Sequence, residues 1–103
     1  MKLLTKELEE KILRLYTTEN TPQDKKILQI KYFTPDSNWS WYVTEYDPNE
    51  KVFFGLVIGF EKEWGYFSLE ELENIKGPLG LHIERDTSFK PITFKDFKKL
   101  NRD

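Results

Sequence analysis

The chain contains no cysteine. Disulfide staples, thiolate nucleophiles and cysteine-based zinc sites are therefore excluded. It contains one histidine, His82. A two-histidine metal site is impossible, and a Ser-His-Asp triad would have a single candidate base. No apolar run approaches the roughly 18 residues that a membrane span needs. The opening "MKLLTKELEEKILRLY" is interrupted by acids and lacks the apolar core of a secretion signal. A cytoplasmic protein is expected. Phosphate-cradling and hydrolase motifs (G-x-x-x-x-G-K-[ST], G-x-G-x-x-G, G-x-S-x-G, H-E-x-x-H) are missing too. No catalytic residue, metal ligand or cofactor follows from the residues, and His82, between Leu81 and Ile83, reads as structural.

What is present is charge and aromatic carbon. The 103 residues are 33% charged and 16% aromatic. That length fits one domain, residues 1–103, with a modest core built largely from rings. The net charge is −2 and unevenly spread. Residues 45–73 hold eight acids (Glu45, Asp47, Glu50, Glu61, Glu63, Glu70, Glu71, Glu73) against Lys51 and Lys62. The two ends are mildly basic. Nucleic-acid binding usually shows a strong basic footprint. Here the only candidate is C-terminal: Lys95, Lys98, Lys99 and Arg102.

Leu4, Leu8, Ile12 and Leu15 recur at helical spacing after Thr5, which predicts a helix over about 6–16. Alternation in "ILQIKYF" predicts a half-buried strand over 27–33. Two more strands follow, about 39–46 and 51–59, joined by "DPNE". The charged "EKE" permits another reversal before "WGYFS". Ser68 with Glu71 forms a capping box, and Leu69, Leu72 and Ile75 give the helix its buried stripe. Gly77 and Pro78 end it. "LGLHIERD" reads as extended. Thr93 caps a last helix with Phe94, Phe97 and Leu100 inward. The expected fold is α+β: a three- to four-stranded antiparallel meander with two or three helices on one face.

Trp39 and Trp41 flank Ser40, and the hairpin register decides where they point. Setting Tyr46 opposite Lys51 puts Trp39, Trp41, Val43, Val52, Phe54, Leu56 and Ile58 on one apolar face. The tryptophans are then core. Tyr42 falls opposite Gly55, and Tyr42, Tyr46 and Phe53 share the second face. Either that face is an aromatic strip open to a partner, or a terminal segment covers it. Arg85, in "IERD", is placed to fork onto a carboxylate such as Glu45. Paired acids, such as Glu84 with Asp86, leave a metal-assisted reaction as a minor alternative. Acids on a sheet also mimic a phosphate array and suit a basic groove on a nucleic-acid enzyme.

"FTPDSNWSWYVTEYD", "FFGLVIGFEKEWGYFSLEEL" and "GPLGLHIERD" together resemble a bacterial family of small proteins known as a domain of unknown function, often carried on plasmids, conjugative elements and phages. The similarity runs from "LLTKE" to about residue 90. At least one protein of this appearance is a type II-A anti-CRISPR protein, an inhibitor of Cas9. The resemblance implies non-enzymatic binding to Cas9 or its guide-RNA complex. It supplies no catalytic residues. The resemblance does not give the contact positions; the acidic middle and the aromatic strip make Tyr42, Glu45, Tyr46, Asp47, Glu61 and Glu63 the expected ones. The alternative is a nucleic-acid-binding accessory protein using the C-terminal basic residues.

Overall fold

A computed structural model describes residues 1–101. The first helix, α1, spans Lys6–Lys11, and the Thr5 side chain accepts a hydrogen bond from the Leu8 amide at 3.2 Å. It stops five residues short of the expected end. The Leu13 carbonyl accepts from the Tyr46 amide at 2.8 Å, and Tyr16 turns to φ +71°. Tertiary bonds to the sheet thus take over from helical ones, as expected for a helix too short to persist alone.

The predicted strand 27–33 divides at Gln29. Ile27–Leu28 forms β1, and Ile30–Phe33 forms β2. Next come β3 (Ser40–Asp47), β4 (Val52–Ile58) and β5 (Lys62–Ser68). The capping box closes as the sequence demands: Ser68 Oγ accepts from the Glu71 amide at 3.0 Å, starting α2 (Leu69–Asn74). Two short strands, β6 (Glu84–Arg85) and β7 (Ile92–Thr93), precede α3 (Phe94–Leu100). Thr93 caps α3 by accepting from the Asp96 amide at 3.2 Å.

The main sheet has five antiparallel strands in the order β5-β4-β3-β2-β6, and β1 pairs separately with β7. The expected α+β meander is present, with one more strand. It is covered on both faces rather than one. Leu3, Leu4, Ile12, Leu72 and Ile83 pack on Tyr32, Trp41, Val43, Tyr46 and Phe53. On the other side, Phe94 and Phe97 of α3 pack with Leu28, Tyr42 and Leu56. Leu100 points outward at 77% exposure, contrary to the expected stripe.

The hairpin register also differs from the expected one. Asp47 pairs with Val52, Tyr46 with Phe53 and Glu45 with Phe54. Beyond an irregularity between Val43 and Glu45, Val43 pairs with Gly55 and Trp41 with Val57. Thr44 is the extra residue of a β-bulge, which reverses the alternation of faces. Tyr46 therefore joins Trp41 and Val43 in the first cluster, opposite Phe53 rather than Lys51. Phe54, Leu56 and Ile58 go to the second face. At Gly55, β4 lies close against the β3 backbone. A Cβ there would overlap the Tyr42 carbonyl, so only glycine fits.

Candidate partner-binding surface

Three of the six expected contact residues are interior. Tyr42, Glu45 and Tyr46 are 5%, 3% and 3% exposed. α3 covers Tyr42, with the Phe97 ring centroid 4.8 Å away. The covered arrangement, not the open strip, is the one adopted. Tyr46 and Phe53 pack together on the other face of the sheet, away from Tyr42, with ring centroids 4.7 Å apart. Burial holds the Tyr46 phenol above the ordinary value, helped by the Glu9, Asp47 and Glu73 carboxylates.

Glu45 is a structural acid. Its Oε1 accepts from the Tyr16 amide at 2.8 Å, and its Oε2 accepts from the Thr18 amide at 2.8 Å and from the Thr18 hydroxyl. Lys26 Nζ donates to the Thr18 carbonyl behind it. Arg85 does not reach Glu45. Its guanidinium donates to the Lys2 and Leu3 carbonyls and straps the N-terminal segment to the sheet.

The remaining acids divide between the two ends of β4. Asp47 Oδ1 accepts from the Asn49 amide at 2.9 Å and shapes the β3–β4 turn. Glu61 lies in the β4–β5 turn, and Glu63 is the second residue of β5. Seven residues of β4 separate these turns, roughly 20 Å at about 3.4 Å per residue. The six residues do not make one surface.

Glu61 and Glu63 do belong to a surface, with partners the sequence reading passed over. The Gly59 amide donates to the Glu61 carbonyl at 3.0 Å, closing a tight turn. That turn projects Phe60, which is 95% exposed. Phe60 meets the Trp39 ring edge-on, with centroids 5.5 Å apart and planes at 82°. Trp39 in turn stacks on the buried Trp41 at 6.0 Å and 28°. A side chain at Gly59 would collide with the Trp39 ring, so this glycine allows the packing.

Trp39, half-buried, is shared by two hollows. One, of about 280 Å³, lies among Trp39, Val57, Phe60, Glu61 and Glu63. The other, of about 300 Å³, is walled by Trp39, Trp41, Ile75 and Pro78, with Lys76 at its rim. Asp36 fixes the 77–81 loop near the second hollow by accepting from the Leu79 amide at 2.7 Å. Trp41 is core, as expected. Trp39 is both core edge and surface. The available clue to Phe60 was its position, an aromatic residue between Gly59 and Glu61 at the expected reversal.

The C-terminal basic residues are partly committed elsewhere. Lys98 Nζ sits 2.7 Å from Asp24 and over the Phe94 ring at 5.0 Å. Lys99 lies 3.9 Å from Asp96. Lys95 is exposed, and Arg102 lies outside the described residues. His82 is exposed and lines a cleft of about 530 Å³ with Glu73, Glu84 and the first three residues. Among the described residues, no three His, Asp or Glu side chains gather as a metal site would need. No helix is long and apolar enough to cross a membrane among them either.

The sequence pattern of a family described as "Protein of unknown function (DUF2958)" matches residues 3–97. The chain belongs to that family. The match takes in every strand and helix of the fold except the end of α3. No curated protein and no solved structure matches it.

Proposed function

We propose that this DUF2958 member is a non-enzymatic binding protein of a mobile element or phage. Its partner is type II-A Cas9 or the Cas9–guide complex, and its contact surface is the β4–β5 end of the sheet. The observation that carries the surface assignment is Phe60, a large apolar ring almost wholly in solvent beside Trp39, Glu61 and Glu63. Hydrating such a ring costs free energy that docking recovers. Exposed aromatics at the centre of a small patch are also the residues that anchor interfaces. Cas9 as partner is supported by the sequence resemblance to a family with a type II-A anti-CRISPR member. It is also supported by charge, since a basic nucleic-acid channel attracts an acidic surface.

The test is a cleavage reaction with purified Cas9, guide and target DNA. This protein is added in increasing amounts before or after the target. Loss of cleavage near equimolar ratio is expected, and the order of addition locates the blocked step. Phe60→Ser and the double reversal Glu61→Lys/Glu63→Lys should weaken inhibition while leaving thermal melting unchanged. Full cleavage at large excess of the wild-type chain rejects Cas9 as partner.

A further inference from the structure

We infer that the segment received at this surface carries an arginine close to a large apolar side chain. This rests on the reading of the β4–β5 end as the contact surface and names the chemistry of its partner. The two hollows differ in character. The Phe60 side is lined by the Trp39 and Phe60 rings, Val57 and the two acids Glu61 and Glu63. Both carboxylates are exposed, and neither has an ion-pair partner among the described residues. An aromatic ring beside an unpaired carboxylate suits a guanidinium, which stacks on the ring while forking onto the acid. The same carboxylates repel a phosphate or an acidic peptide.

The Pro78 side is lined mostly by carbon, from Trp39, Trp41, Ile75 and Pro78. Its one cation, Lys76, disfavours a second positive charge there. The two hollows therefore read opposite things, and charge sets the direction of the bound segment. Both share Trp39 as a wall, so the two inserted side chains straddle a single indole. In an extended segment, alternate side chains point the same way about 7 Å apart. A peptide with its arginine and its apolar residue at that spacing is therefore a suitable probe.

The probe is a fluorescein-labelled peptide, Gly-Ser-Leu-Ser-Arg-Ser-Gly, titrated into the whole protein and followed by anisotropy and by amide and indole NMR shifts. Shifts at the Trp39 indole and the Phe60 amide are expected. Replacing the peptide's arginine by glutamate should abolish them, and replacing its leucine by serine should weaken binding about tenfold, or ~1.4 kcal/mol. Glu61→Gln/Glu63→Gln, in a chain of unchanged melting temperature, should also weaken binding about tenfold. Absence of shifts at millimolar peptide overturns the inference, as does equal binding of the glutamate peptide. Peptide binding by a chain that leaves Cas9 cleavage intact upholds this inference and removes Cas9 as partner. Cleavage inhibited in a Phe60-dependent way without peptide binding overturns this inference and leaves Cas9 standing.

Discussion

Glu45→Ala should unfold much of what holds the first twenty residues to the sheet. The carboxylate receives three donors: the Tyr16 amide, the Thr18 amide and the Thr18 hydroxyl. Thr18 is only 6% exposed, so water cannot replace the lost acceptor without moving the loop. Hydrogen bonds to a charged group contribute about 1.5–3 kcal/mol each. Counting the two buried Thr18 donors and discounting the Tyr16 amide, which can rehydrate, the cost is about 4 kcal/mol. At about 4–8 °C per kcal/mol for a domain near this size, the melting temperature should fall by roughly 15–30 °C. Glu45→Gln keeps one acceptor oxygen and should cost about half as much. The assay is urea denaturation followed by circular dichroism, with hydrogen exchange at the Tyr16 and Thr18 amides. A Glu45→Ala chain within about 1 kcal/mol of wild type, with both amides still protected, would refute the reasoning.

Gly55→Ala should cost several kcal/mol, because the new methyl meets the Tyr42 backbone rather than a yielding side chain; chemical denaturation measures it, and a change below about 1 kcal/mol contradicts the close approach. Stability should decline above about pH 10. Burial raises the Tyr32 and Tyr46 phenols in the fold, so they stay neutral while their unfolded counterparts ionise. The contribution is complete below the unfolded value and is lost as pH rises toward the folded one. Tyr32→Phe should flatten that decline, as read by melting temperature across pH 9–11, at the cost of the hydrogen bond its hydroxyl donates to the Leu3 carbonyl at 2.7 Å. Ser68→Ala should cost about 1 kcal/mol, the usual value of a helix cap, in the same denaturation assay.

Much of the fold was legible because local and tertiary preferences agree. Ser68 with Glu71, Thr93 before Phe94 and the alternation of Ile30 and Tyr32 each state an element that packing then accepts. The errors occur where a distant group intervenes. The first helix ends early because Glu45 and Tyr46, some thirty residues on, take hydrogen bonds from or give them to its continuation. The hairpin faces were misassigned beyond one point because the bulge at Thr44 adds a residue with no turn signal to mark it. That single residue moved Tyr46 and Phe53 into the core and put Phe54 on the other side. The surface was half legible. Glu61 and Glu63 were singled out by their charge, yet Glu45 carries the same charge and is buried. Charge alone does not distinguish an acid that solvates from one that anchors. Phe60 was missed because the reversal after β4 was read from Gly59 and the charged "EKE" alone.

The sheet acts as a partition between two hydrophobic compartments that share walls but few atoms. One is closed by the start of the chain and the other by α3 near its end. Substitutions on opposite sides should combine with little interaction, as distant sites do. Each compartment can then drift in sequence at its own pace. Among relatives, the filling on one side can be rewritten wholesale while the other stays recognisable, so overall identity will understate how well the architecture is retained.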